Sequence, residues 1–175
     1  MQNDIRTCPG CGKNYSIMEF CIYHNNKYYT FQYCYSCQSD ARRDENKINR
    51  ENNAETMLKN NLAGRITASL KIIGYPYNKD IFDYLDYSPK DLKIHLENQF
   101  EPWMKWWNHG RYIASRWNDN DVSTWKWQID HIIPFSKFKY LSIADEDFKK
   151  CWTLSNLRPL SAKQNLLDGV RRTRH

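Results

Sequence analysis

The chain has 175 residues, with 26 Lys and Arg against 20 Asp and Glu, a formal net charge of +6 and a sequence pI near 8.9. A mean hydropathy of −0.86 leaves little apolar material for one large core and points to small modules joined by helices, in which the aromatic residues, 15% of the chain, can stand in for scarce aliphatic ones. No apolar run approaches the roughly 20 residues of a membrane span, and Met1-Gln2-Asn3-Asp4 opens polar with no apolar segment behind it, so no membrane partner and a cytoplasmic location are expected. The positive balance culminates in Val170-Arg171-Arg172-Thr173-Arg174-His175 and lowers the cost of approaching a polyanion, although a solvated basic surface accounts for it equally well.

Six cysteines in a chain without a secretion signal are not expected to pair in a reducing cytosol. Four form two knuckles, Cys8-Pro9-Gly10-Cys11 and Cys34-Tyr35-Ser36-Cys37, and together complete the tetrahedral sulfur shell that Zn²⁺ favours. A closed shell of four thiolates is structural, because no coordination position is left open. Gly10 and Gly12 let the first turn tighten until backbone amides face the sulfurs. Between the knuckles, Phe20 to Tyr33 reads as a hairpin turning at His24-Asn25-Asn26, so the segment resembles a zinc ribbon. His24 is an alternative ligand, but a hairpin-tip histidine is more often solvated. Cys21 and Cys151 are expected to be small buried hydrophobes.

Gln38 to Asn53 carries interleaved charges without Gly or Pro and suits an exposed helix or a flexible linker. Leu58, Leu62, Ile66, Leu70 and Ile73 recur at helical spacing up to Gly74-Tyr75-Pro76, which stops the helix. Its polar positions include Lys59, Arg65 and Lys71, so it either packs its apolar stripe on a core or lies along a phosphate backbone. Ser88-Pro89-Lys90-Asp91 starts another helix, with Leu92, Leu96 and Phe100 on its buried face. Trp103, Trp106 and Trp107 belong to a core or, more sharply, stack on unpaired bases. His95 and His109 are read as packing or surface residues, and there is no internal repeat.

Trp125 to Ile129 alternates as a half-buried strand should, delivering Asp130 and His131 to opposite sides of its end. Ile132-Ile133-Pro134 continues the strand signal and then breaks it. A polar excursion follows, with a short helix expected at Ala144 to Cys151. Asn156-Leu157-Arg158-Pro159-Leu160 returns as a second strand, and Ser161 caps a helix that Gly169 is expected to close. Hydrolysing a phosphodiester requires a base to activate water and a cation to absorb developing charge. A histidine side chain ordinarily titrates near neutrality, so His131 suits the base. Asp130 and the amide of Asn165 offer hard oxygens suited to Mg²⁺ or Mn²⁺.

The segment Trp127 to Leu167 resembles the HNH family of endonucleases, which have a ββα-metal fold. The resemblance makes His131 the general base and Asn156 the central asparagine that braces the loop and orients it. Asn165 takes the third position, where many members have histidine; this His-Asn-Asn variant is similar to the HNH domain of RNA-guided nucleases, in which the asparagine binds metal. Asp130 matches the metal-binding acid before the base. With the N-terminal cysteines, Leu96-Glu97-Asn98-Gln99-Phe100 and Asn-Leu-Arg-Pro-Leu, the chain is also similar to small HNH proteins of bacteriophages, which would place it in the host cytoplasm.

The fold expected is α+β: a zinc ribbon over 1–40, a helical DNA-positioning region over 41–118, and a ββα-metal domain with a basic tail over 119–175. The function implied is a nicking or homing endonuclease acting on double-stranded DNA and leaving 5′-phosphate and 3′-hydroxyl ends. An inactive zinc-containing nucleic-acid-binding protein and an RNA-directed nuclease are the alternatives.

Overall fold

The computed structural model describes residues 4–75 and 80–173, the last three as backbone alone. Met1 to Asn3, Pro76 and the end of the basic tail lie outside them. Among the described residues the fold is mixed α+β, with three two-stranded antiparallel sheets. Its contacts define two units, Met1–Asn49 and Arg50–His175, so the boundaries expected at 40/41 and 118/119 meet a single change of unit, inside a helix.

In the first unit β1 (Ile5–Thr7) pairs with β2 (Asn14–Ser16) around the first cysteine knuckle. A 3₁₀ turn, Ile17–Phe20, leads into β3 (Cys21–His24) and β4 (Lys27–Thr30). Asn25 and Asn26 make the turn between them, with φ of 49° and 60°, the paired positive φ of a hairpin whose turn matches the strands' twist. Asparagine tolerates this region better than most residues because its side chain is short and polar. Helix α1 (Tyr35–Asn52) settles the choice between helix and linker. None of its residues is buried, and its ion pairs Arg43–Asp40 and Lys47–Asp44 are exposed, worth a few tenths of a kcal/mol each.

In the second unit, α2 (Ala54–Ile72) turns Leu58, Leu62, Ile66 and Leu70 into a fully buried stripe, which favours core packing over a phosphate-facing helix; Lys59 is ion-paired with Asp80. Each fully buried leucine or isoleucine stabilises by about 1.5–3 kcal/mol. The stripe meets α3 (Pro89–Glu97), whose Ser88 and Asp91 form a reciprocal capping box and whose Leu92 and Leu96 are buried. Trp106 and Trp127 are buried with Phe100 against them, so Trp106 belongs to the core in which Leu58, Leu96, Phe148 and Leu157 also sit, whereas Trp107 is only half-buried, with the Lys126 ammonium 5.5 Å from its ring centre. Trp103 is partly buried against the same core.

β5 (Trp127–His131) and β6 (Leu157–Ser161) form an antiparallel hairpin in which Asp130 lies opposite Arg158 and His131 opposite Leu157. Between them come α4 (Glu146–Trp152) and a 3₁₀ turn, Leu154–Asn156; α4 starts two residues later than expected, and Asn156 ends the turn and does not begin the strand. Helix α5 (Ala162–Thr173) follows directly, and the Gln164 amide donates to the Ser161 hydroxyl at 3.5 Å. Gly169 does not close α5. One interior glycine costs about 1 kcal/mol, too little to end a helix whose neighbours continue it. Among the described residues no helix is long and apolar enough to cross a membrane.

Candidate functional site

Cys8, Cys11, Cys34 and Cys37 bring their sulfurs within 4.8 Å of one another. A zinc ion with Zn–S bonds of about 2.3 Å sets tetrahedral sulfurs about 3.8 Å apart, so the set lies close enough to bind such a metal. Two local features build it. Gly12 has φ of +69°, which turns the first knuckle, and a side chain on Gly10 would sit 3.0 Å from the Cys37 sulfur. Cys34 and Cys37 flank the start of α1, where unpaired amides and the helix dipole favour negative sulfur. The Cys34 amide donates to the Cys8 sulfur at 3.3 Å. Burial raises the Cys8 pKa, but backbone amides of Cys34, Cys11 and Gly10 outweigh it and hold the thiol at about 6. Hydrogen bonding with Cys34 and burial push Cys37 up to about 12. Four crowded sulfurs thus do not all ionise unless a cation neutralises them. His24 sits on the hairpin instead. Cys151 is buried as expected, whereas Cys21 is only half-buried, because its strand borders solvent; its thiol donates to the Ile17 carbonyl at 3.4 Å.

The second cluster lies at the end of the β5–β6 hairpin. Asp130 and His131 are 5% and 4% exposed, and successive strand residues face opposite sides. The His131 ring lies edge-on to Trp152, centroids 4.8 Å apart, with Phe135 at 6.3 Å. Asp130, on the other side, accepts two hydrogen bonds at Oδ2 from Arg158, at 3.1 Å from Nε and 2.9 Å from Nη2. The Asn156 amide clamps the segment after His131: its Oδ1 accepts from the Ile133 amide at 2.7 Å, and its Nδ2 donates to the Cys151 carbonyl at 2.9 Å. The Asn156 carbonyl accepts from the Ile132 amide at 2.9 Å. From α3, His95 Nε2 donates to the Leu157 carbonyl at 2.8 Å and steadies the other strand.

Asn165 sits in the second turn of α5 and donates to the Gln128 side chain at 2.8 Å, on the strand face that Asp130 shares. Asp130 and Asn165 therefore share a side of β5, and the His131 imidazole packs on the opposite one. Three participants, Gln128, His95 and Arg65, are not singled out as site residues by the sequence, and Arg158, like Lys163, is open there between a phosphate contact near the site and a surface charge. Arg158 and Gln128 emerge from strand register and helix docking, His95 from α3, and Arg65 from α2, where its Nη1 donates to the Ile129 carbonyl at 3.1 Å. Lys163 is ion-paired with Asp119. No protein-family model, no curated protein and no solved structure matches the chain.

The Arg158–Asp130 pair yields a direct expectation. Arg158→Gln removes two donors from a buried carboxylate and should lower stability by about 1–3 kcal/mol, read as a shift of the urea midpoint at constant slope. An unchanged midpoint would show that the pair contributes nothing to the fold.

Proposed function

We propose that this protein is a metal-dependent DNA endonuclease of the HNH type, with β5, β6 and α5 as its ββα-metal unit. The reading rests chiefly on the clamp: Asn156 hydrogen-bonds the backbone of Ile132 and Ile133, directly after Asp130 and His131, and ties it to the Cys151 carbonyl, which suits a strand end that must hold a general base in place.

The oxygens of Asp130 and Asn165 are hard donors on one face and fit a Mg²⁺ or Mn²⁺ ion in their chemistry, with Arg158 sharing the Asp130 carboxylate. Such an ion would neutralise charge on the phosphoryl and leaving oxygens. His131 would take the proton of the attacking water, Asn156 would keep the loop after His131 in place, and Arg158 would hold the Asp130 carboxylate in position. The four-sulfur cluster would hold Zn²⁺ and give the first unit its fold. A phage-encoded nicking or homing enzyme acting on double-stranded DNA in a host cytoplasm is the setting this reading implies.

A second reading, an inactive zinc-containing nucleic-acid-binding protein, draws on the 4% exposure of His131 and the engagement of Asp130 by Arg158. Supercoiled plasmid separates the two. After chelation of loosely bound ions, restoring Mg²⁺ or Mn²⁺ should convert it to open circles or linear DNA with 5′-phosphate ends. Retardation of the plasmid without any cleavage would instead select the binding protein.

A further inference from the structure

A cavity of about 370 Å³ opens beside the hairpin, bounded by α2, β5, α5 and the segment that precedes β5. Its ionisable lining groups are Arg65, His109 and Arg111, joined by the amides of Asn61, Gln128 and Asn165. No acid lines it. A second depression shares Arg111, Gln128 and Asn165 and continues past Tyr112 along α5, again without an acid among the described residues, so the two make a groove on either side of Asn165.

We propose that this groove seats the sugar–phosphate backbone of a nucleic acid, with Arg65 and Arg111 each contacting a phosphate. The choice of a nucleic acid as occupant rests on the endonuclease reading; the basic, acid-free lining does not depend on it. Arg65 is oriented for the task, because its Nη1 bond to the Ile129 carbonyl fixes the guanidinium plane while the other N–H groups remain to engage an anion. Among the described residues no hydrogen bond or ion pair engages the Arg111 side chain; the nearby Asp130 carboxylate acts on Arg65 but is itself held by Arg158, so two arginines facing one cavity favour an anion between them. Burial, with the charges of Arg50 and Arg65, lowers the His109 pKa to about 4, so at neutral pH its imidazole adds hydrogen-bonding capacity without charge. The space exceeds a lone phosphate and admits the adjoining sugars. Asn165 joins the groove to the hairpin, which would bring the bound strand to the Asp130 side of β5.

The test measures binding alone, with zinc retained and no Mg²⁺ or Mn²⁺ present. Fluorescence anisotropy of a labelled DNA duplex is followed across salt concentration for the wild type, Arg111→Gln, the double variant Arg65→Gln with Arg111→Gln, and Arg116→Gln, an exposed arginine outside the groove. Each lost phosphate contact lowers the slope of log K against log salt by about 0.9, so the single variant should fall by about 0.9 and the double by about 1.8, with Arg116→Gln unchanged. An unchanged slope in Arg111→Gln, which alters only an exposed side chain and keeps the fold, overturns the proposal. So does an equal drop in Arg116→Gln, which would mean diffuse attraction to net charge. A titration with inorganic phosphate, read by tryptophan fluorescence, distinguishes the remaining source: saturation by free phosphate with no slope change for DNA makes this a small-anion site and also overturns it. A reduced slope in a protein that never nicks plasmid would keep the groove and remove the nuclease reading, and intact nicking with an unchanged slope would do the reverse.

Discussion

His131→Ala should lower Mg²⁺-dependent nicking of supercoiled DNA by about 10²–10⁴-fold, the usual contribution of a positioned general base, equivalent to about 2.7–5.5 kcal/mol of barrier. Binding of a duplex should stay within a few-fold of wild type, because the groove's arginines lie on α2 and on the segment before β5, and His131 does not line it. The imidazole packs against Trp152 and Phe135, so truncation to alanine also leaves a cavity and destabilises the unit. His131→Gln is the companion variant: it fills most of the space, forms hydrogen bonds and has no titrating nitrogen. Loss of nicking in both, with melting temperature and duplex affinity held in His131→Gln, is the signature of a base. Nicking that survives in His131→Gln would remove His131 from the chemistry, and parallel losses of activity, binding and melting temperature would assign it to the fold.

Cys34→Ser should leave the four-sulfur site unable to hold a metal and unfold the first unit while the second stays folded. The reason lies in how little else holds residues 1–49. The buried cluster there is Cys8, Phe20 and Cys34, with Tyr15 and Cys37 packed against it, and α1 buries nothing. A core of that size supplies little against the conformational entropy of ordering its residues, about 1–2 kcal/mol each for the backbone. A structural zinc in small modules contributes about 10–16 kcal/mol at neutral pH, enough to decide whether such a module folds. The long stripe of α2 and the tryptophan cluster make the second unit independent of that metal. Metal content per chain, measured by mass spectrometry of the metal, should fall towards zero in Cys34→Ser, and amide exchange should accelerate in residues 4–34 but not in 89–97 or 127–131. Full metal content in this variant would eliminate the four-sulfur site.

Features governed by neighbours along the chain were legible before any coordinates. The hairpin turn at Asn25-Asn26 needs only two residues that accept positive φ, and the capping box at Ser88 and Asp91 only a serine and an acid three apart. The helical spacing of Leu58, Leu62, Ile66 and Leu70 describes a buried face without naming what covers it. Expectations that hinged on one residue's punctuation fared worse. Gly169 was expected to stop α5 and Cys21 to be buried, yet a single glycine is too weak to end a helix, and burial belongs to the sheet's surroundings more than to the residue.

The sequence by itself determined the two cysteine knuckles, the α+β character, and the placing of Asp130 and His131 on a strand and Asn165 on a helix, because these follow from spacing and local backbone preference. Only the tertiary structure decided their partners. Arg158 meets Asp130 across 28 residues through strand register, and Arg65 reaches Ile129 across 64 because α2 packs beside β5. Asn165 turns to Gln128 through the docking of α5. Such pairings are set by the joint packing of many side chains, each free to find other neighbours in an unfolded chain, and so leave no mark in local sequence pattern.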